Sequence, residues 1–131
     1  MEQRPTDSLE GATVLVADDE PHLLHLVRFR LEREGATVLT AADGDAALAT
    51  ARERLPDLCM LDVSMPRRSG LDVLRELRAD ARCRGIKVIM LTASTAARDA
   101  EAGRSLGADD YIRKPFTPRE LRARVRSQLG R

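Results

Sequence analysis

Short apolar runs alternate with longer helical patterns along this chain, and this alternation limits its fold more than any other feature. After the first run, Leu23, Val27 and Leu31 recur on one helical face. Strict alternation of strand and helix over five units predicts an α/β fold, a doubly wound, five-stranded parallel sheet with five helices. The predicted strands are 13–17, 36–41, 58–61, 86–91 and 110–113.

The segments after these strands carry helix signals at their ends. The first helix has Pro21 in its first turn and ends at Gly35. The third and the last begin with capping-box sequences, SGLD (69–72) and TPRE (117–120), whereas the fourth is Ala-rich and ends near Gly107. The predicted helices are 20–35, 43–55, a segment from 69, 94–108 and a segment from 117.

No repeat or linker interrupts the alternation, so we predict one domain over 13–131 that follows a polar leader, 1–12. With 43% hydrophobic residues, the 131-residue chain can form a single core. The leader is unlike a signal peptide, and no apolar stretch is long enough to span a bilayer. We therefore expect a cytoplasmic protein with no membrane partner.

Charge also limits the partners of this chain. Its 22 Lys and Arg nearly balance its 21 Asp and Glu, which argues against bulk attraction to nucleic acid. The stretch 113–131 holds seven basic residues and one acidic residue, but no aromatic stacking platform accompanies them. We therefore expect no direct binding of nucleic acid by this chain.

Polar side chains follow four of the predicted strands. Asp18 and Asp19 follow the first strand, Asp62 ends the third, Thr92 follows the fourth and Lys114 follows the fifth. The carboxyl ends of parallel strands lie at one edge of a sheet, where ligands bind in open α/β folds. The five residues are therefore predicted to meet there, although they are far apart in sequence.

The chemistry of this set can be argued from its residue types. Three carboxylates repel each other unless a cation joins them, and oxygen ligands without His or Cys favour Mg²⁺ over Zn²⁺. A metal, an ammonium group and a hydroxyl facing a carboxylate are parts used in phosphoryl transfer, where a carboxylate can itself be the nucleophile. Singly, the acids could cap the first helix, Thr92 could cap another and Lys114 could be solvated, but their convergence favours a site.

With those residues in view, the chain from Thr13 to Leu129 resembles the receiver domain of bacterial two-component response regulators. That resemblance implies a flavodoxin-like (βα)5 receiver fold. Any one motif would be weak, whereas their order and spacing together are specific. The matching motifs are LVADDEP (15–21), LDVSMPRRSGLD (61–72), MLTA (90–93), GADDYIRKPF (107–116) and ELRARV (120–125).

The resemblance implies that Asp62 accepts a phosphoryl group from a sensor histidine kinase or a phosphotransfer protein. It implies a Mg²⁺ ion held by Asp19, Asp62 and the backbone carbonyl of Ser64, with Asp18 assisting. Only self-catalysed phosphotransfer and autodephosphorylation are expected, so the chain is not expected to be an enzyme in the usual sense.

The remaining roles are likewise implied by the resemblance. Lys114 would neutralise a phosphoryl oxygen, and Thr92 would donate a hydrogen bond to another. Tyr111 matches the switch aromatic, which turns inward as Thr92 moves. The Lys114–Pro115 peptide would be cis, which is uncommon even before proline.

The ending KPFTPRELRARV resembles the subclass that is coupled to a winged-helix DNA-binding domain. That subclass forms a homodimer through its fourth helix, fifth strand and fifth helix. Ala100 stands where the subclass usually has a basic residue, so one intermolecular pair would be missing and the homodimer stays an open alternative. The residues that match the charged pairs of this face are Asp109, Asp110, Glu120 and Arg124.

Other functions remain alternatives at this point. The chain could be a receiver that binds proteins without phosphate, and it could stand alone or belong to a longer regulator. A Mg²⁺-dependent aspartyl phosphohydrolase is disfavoured, because Ser64 stands where its Asp-x-Asp motif has a second acid. A flavodoxin-like cofactor binder is disfavoured, because the acidic loop ADDEP (17–21) would repel a phosphate unless a metal intervened.

Overall fold

The computed structural model describes residues 9–93, 104 and 106–131, and its strands form one parallel sheet. The strands are β1 Thr13–Ala17, β2 Thr37–Ala41, β3 Leu58–Asp62, β4 Lys87–Thr92 and β5 Asp110–Arg113. Their order in the sheet is β2-β1-β3-β4-β5, which confirms the predicted doubly wound sheet. Strand β2 lies on one side of β1, and β3 lies on the other side. The switch in strand order therefore lies between β1 and β3.

Four helices are present in the described part of the chain. They are α1 Pro21–Glu32, α2 Gly44–Arg54, α3 Gly70–Ala79 and a C-terminal helix, Pro118–Gln128. Both predicted capping sequences function as caps, since Ser69 Oγ accepts the N–H of Asp72 and Thr117 Oγ1 accepts that of Glu120. The fourth predicted helix, 94–108, lies mostly outside the described residues.

The start of α1 differs from the capping alternative considered for Asp18 and Asp19. Glu20 is the N-cap, because its carboxylate accepts the N–H of Leu23 at 2.8 Å. Asp18 instead accepts the N–H of Glu20 at 3.0 Å through Oδ1. Its other carboxylate oxygen, Oδ2, therefore remains available for contacts with side chains at the carboxyl edge of the sheet.

Two hydrophobic clusters form the core of the described part of the chain, one on each face of the sheet. Alternate residues of β1 enter different clusters, with Leu15 in one and Val14 in the other. Every residue of β3 is buried, because helices cover this central strand on both faces. Asp62 is the last of these residues, so its carboxylate lies at the carboxyl edge of the sheet, where other polar groups can contact it.

Residues 9–12, which the sequence assigns to the polar leader, pack beside α1. Leu9 is fully buried, and its N–H donates to the carbonyl of Glu34 at 2.8 Å. Packing in the described chain therefore begins before β1. Among the described residues, no helix has both the length and the hydropathy required to cross a membrane.

Candidate functional site

Three carboxylates meet at the switch in strand order. Asp18 follows β1 and is fully buried, the adjacent Asp19 is exposed, and Asp62 at the tip of β3 is 6% exposed. One carboxylate oxygen from each lies within 4.8 Å of the other two. The predicted convergence of these acids is therefore present in the structure.

Lys114 reaches the same cluster from the end of β5. Its Nζ lies 2.6 Å from Asp18 Oδ2 and 3.5 Å from Asp62 Oδ1. The backbone holds this residue in place, because its N–H donates to the carbonyl of Thr92 at 2.8 Å and its peptide bond to Pro115 is cis, as expected. One ammonium group thus faces two buried carboxylates.

The charges of the cluster shift the pKa values of two members. Burial and the neighbouring charge of Asp18 raise the pKa of Asp62 from 3.8 to about 6, although Lys114 and the Ser64 N–H favour its ionised form. Burial lowers the pKa of Lys114, but the hydrogen bond to Asp18 and the charges of both acids outweigh it, so the net shift is upward. A single lysine therefore leaves excess negative charge at the site.

The cluster opens into a cleft of about 490 Å³. Thr92 at the end of β4 is 7% exposed and lines the cleft together with Asp19 and Asp62. Ser64, two residues beyond Asp62, also lines it and donates its N–H to Asp62 Oδ1 at 3.4 Å. The predicted acceptor, the phosphoryl-contact residues and all predicted metal ligands except Asp18 therefore line one cleft, while Asp18 is fully buried beside Lys114.

The donor set fits a magnesium ion. It offers three carboxylates in mutual reach, one of them accessible to solvent, and the described residues add no histidine or cysteine to the group. Because burial and the charge of Asp18 raise the pKa of Asp62, a cation bound beside it would offset both effects and stabilise its ionised form. The cluster is consistent with the Mg²⁺ site that the sequence predicts.

Tyr111, the predicted switch aromatic, lies outside the lining of the cleft. It pairs with Met90 in the β4–β5 register, two positions before the Thr92–Arg113 pair. Its side chain packs against the core cluster that contains Met90, and the guanidinium of Arg104 lies 5.3 Å from its ring centre. Within the described residues, its buried hydroxyl has no hydrogen-bond partner.

Three of the four predicted interface residues form one cluster on the surface. Arg124 Nη1 lies 2.7 Å from Asp110 Oδ1, and its Nη2 lies 3.7 Å from Glu120 Oε2. Asp109 points elsewhere, because its Oδ2 accepts the N–H of Val88 at 2.8 Å. The charges assigned to intermolecular pairs thus have partners within this chain.

Arg78 on α3 is a structural residue that the sequence analysis missed. Its guanidinium lies 2.9 Å from Asp109 Oδ2 and donates to the carbonyls of Arg84, Ile86 and Gly107. It joins α3 to the segments before β4 and β5. Apart from its place in the last turn of a predicted helix, no local signal marks it, because its partners are distant in sequence.

Gly70 is a second residue that the sequence analysis did not assign to the site. A Cβ at this position would lie 2.0 Å from the carbonyl oxygen of Asp62. Only a residue without a side chain allows α3 to begin this close to the end of β3. The signal available in the sequence was the glycine directly after the cap Ser69.

The sequence model of the family described as "Response regulator receiver domain" matches residues 14–126. The chain is 47% identical over 122 residues to the probable transcriptional regulatory protein TcrX of Mycobacterium tuberculosis, covering 93% of this chain and 51% of TcrX. It is 44% identical over 118 residues to the alkaline phosphatase synthesis transcriptional regulatory protein PhoP of Bacillus subtilis, covering 90% and 48%. The chain thus spans about half the length of these curated relatives.

Solved structures agree with the sequence relatives. The chemotaxis response regulator CheY4 of Vibrio cholerae superposes with a TM-score of 0.85 at 32% identity, covering 89% of this chain and 98% of that one. The beryllofluoride-activated DrrB receiver domain superposes with a TM-score of 0.82 at 32% identity, covering 92% and 98%. With the strand order, the acidic cluster and the matched length taken together, this chain belongs to the response regulator receiver domains, a family of signalling domains.

Proposed function

We propose that Asp62 accepts a phosphoryl group from the phosphohistidine of a sensor kinase or a phosphotransfer protein. One observation carries this assignment: Asp62 is the acid at the tip of the central strand, lies beside the Asp18–Lys114 ion pair, and lines an open cleft. Burial and the charge of Asp18 disfavour the ionised form of Asp62, and Lys114 offsets this only in part. Ionisable groups perturbed in this way are concentrated at functional sites. Membership of the receiver family supports the same role.

In the proposed step, a carboxylate oxygen of Asp62 attacks the phosphorus atom. An acyl phosphate bond forms, the P–N bond of phosphohistidine breaks, and its electron pair returns to the imidazole nitrogen. Asp18, Asp19, Asp62 and the carbonyl of Ser64 would hold Mg²⁺. When bound, the ion supplies positive charge that neutralises phosphoryl oxygens.

Lys114 and Thr92 complete the proposed site. The ammonium group of Lys114 already lies near Asp62 and would pair with a phosphoryl oxygen attached there. Thr92 lines the same cleft from the adjacent strand β4, so its hydroxyl would hydrogen-bond a second phosphoryl oxygen.

We further propose that phosphorylation shifts the population of two arrangements of the face around β5. Thr92 would move toward the phosphoryl group, and Tyr111, two register positions away, would respond to that movement. The surface cluster of Asp110, Glu120 and Arg124 would then exchange intrachain pairs for pairs across a homodimer. Because relatives such as PhoP and TcrX are named transcriptional regulators, we propose that the output is transcriptional, through a separate DNA-binding domain.

Acetyl phosphate with Mg²⁺, followed by intact-mass measurement, tests the assignment. We expect one added phosphoryl group in the wild-type chain and none in Asp62→Asn. Asp57→Asn is the matched control, because Asp57 lies just before the same strand, at the opposite edge of the sheet. Size-exclusion chromatography of the same samples reports the homodimer.

An adduct that persists in Asp62→Asn would place the acceptor elsewhere. If the wild type takes no phosphoryl group, beryllofluoride binding followed by fluorine NMR distinguishes donor selectivity from loss of the reaction. If beryllofluoride also fails to bind, the chain acts as a phosphate-independent interaction domain.

A further inference from the structure

The loop that follows Asp62 rests on the N-terminus of α2. This loop, residues 63–69, carries Ser64, whose N–H contacts Asp62 and whose carbonyl is a proposed metal ligand. At its start, the Val63 N–H donates to the carbonyl of Leu91, and the Val63 carbonyl accepts the N–H of Gly70. These bonds secure the ends of the loop, whereas its middle is held by contacts with α2.

Gly44, the first residue of α2, makes the closest of those contacts. Its N–H donates to the carbonyl of Pro66 at 3.2 Å. A Cβ at Gly44 would lie 1.9 Å from the carbonyl oxygen of Arg68 and 2.6 Å from both its carbonyl carbon and its Cβ. Because the atoms in the way belong mostly to the backbone, any side chain at this position would force the loop to move.

Charged side chains hold the two surfaces together. Arg68 Nε lies 3.0 Å from Asp45 Oδ1, and Arg67 lies within 4.0 Å of both Asp43 and Asp45. Arg67 has a φ of 70°, in the left-handed region that arginine rarely adopts. The loop therefore keeps a conformation that its own sequence does not favour, and α2 supplies the contacts that hold it there.

We infer that Gly44 is a positioning residue for the phosphorylation site, acting through the loop that carries Ser64. This inference rests on the proposed function, because it assigns Gly44 a part in the geometry of the same site. Oxygen ligands and reacting groups tolerate little displacement, and an error of about 1 Å can lower a rate by about 100-fold. A methyl group at Gly44 requires a loop shift of that order, so its effect should reach Ser64.

The test compares Gly44→Ala with Gly85→Ala in the full chain. Gly85 is a matched control because a Cβ there has no atom within 4 Å. In metal-free protein, we expect the amide resonances of Val63 and Ser64 to move in Gly44→Ala and to stay in place in Gly85→Ala. By calorimetric titration with MgCl₂, we expect the Kd for Mg²⁺ to rise about tenfold in Gly44→Ala and to stay within about twofold in the control.

A second variant keeps the inference testable if Gly44→Ala does not fold. Arg68→Ala removes the ion pair with Asp45 without adding an atom, so the same two amide resonances should move by a smaller amount. Suppose that Gly44→Ala has a lower thermal midpoint of unfolding while its Val63 and Ser64 amide resonances and its Mg²⁺ affinity equal those of Gly85→Ala. In that case Gly44 would be a packing residue only. That result would overturn the inference.

The outcomes also separate this inference from the proposed function. If the wild type accepts no phosphoryl group but Gly44→Ala moves the Ser64 resonance and weakens Mg²⁺ binding, the proposed reaction fails and the positioning role stands. If the wild type is phosphorylated on Asp62 and Gly44→Ala behaves as the control does, the reaction stands and the positioning role fails.

Discussion

Replacing Asp62 by Asn should stabilise the metal-free domain at pH 8. The pKa of Asp62 rises from 3.8 to about 6 on folding, chiefly because the carboxyl group is buried. At about 1.4 kcal/mol per pKa unit, ionising it in the folded protein costs at most about 3 kcal/mol. Since the site opens partly to solvent, we expect Asp62→Asn to raise the free energy of unfolding by about 2 kcal/mol.

The pH dependence of this gain follows from the sign of the shift. Below about pH 4 the carboxyl group is protonated in both the folded and the unfolded chain, so the two proteins should be equally stable. As the pH rises from about 4 to about 6, Asp62 loses its proton more readily in the unfolded chain than in the folded chain. The free energy of unfolding of the wild type therefore falls over this interval. The advantage of Asp62→Asn should grow over that interval and stay constant above it.

Urea denaturation followed by far-ultraviolet circular dichroism measures the effect, with EDTA present and the pH stepped from acid to pH 8. Asp57→Asn is the control, because Asp57 accepts the Thr13 N–H away from the site and its replacement should bring no gain. Mg²⁺ should reduce the difference in free energy of unfolding between Asp62→Asn and the wild type, because it binds the ionised site of the folded wild type and stabilises that state. If Asp62→Asn does not raise the free energy of unfolding at pH 8, or raises it equally at every pH, the argument from buried charge is refuted.

Three further predictions follow from the same structure. Lys114→Met should raise the pKa of Asp62 beyond about 6, because it removes the cation nearest that carboxylate, and carbon-13 NMR titration of the carboxyl group measures this. Arg78→Ala should lower the free energy of unfolding by about 1–2 kcal/mol, since it removes the donor to the part-buried Ile86 carbonyl and the ion pair with Asp109. Arg75→Ala, at an exposed pair, should change that free energy by less than about 1 kcal/mol, and urea titrations measure both. Burial raises the pKa of the Cys59 thiol to about 12, so at neutral pH it should react with a thiol reagent only after urea has unfolded the chain. Fast labelling of Cys59 in the folded chain would contradict this.

Much of the fold and the candidate site could be predicted because the relevant signals are local. Most of the strands are apolar runs, and polar residues such as Asp62 and Thr92 mark the carboxyl ends of β1, β3, β4 and β5. The parallel arrangement then brings those ends together without any knowledge of side-chain contacts. The capping residue Ser69 was predictable for the same reason, since its partner is three residues away.

The features that escaped prediction depend on contacts between distant segments. Arg78 reaches Asp109 across 31 positions, and Gly44 matters because the loop after β3 passes against it. The cap of α1 is Glu20 rather than Asp18 or Asp19, a choice among three consecutive acids that the sequence pattern does not distinguish. For Arg78 and Gly44 the deciding quantity is a tertiary distance, which composition and periodicity do not report, whereas the cap of α1 is decided by the local backbone geometry.

The unequal exposure of the two adjacent acids after β1 has a kinetic consequence. Asp18 is enclosed and held by Lys114, whereas Asp19 stands at the open side of the cleft. An ion arriving from solution would meet Asp19 first and could enter or leave without any helix or strand separating. The exchange rate should then be limited by how fast the hydrated ion sheds water, so site occupancy would follow the free magnesium concentration on the timescale of signalling.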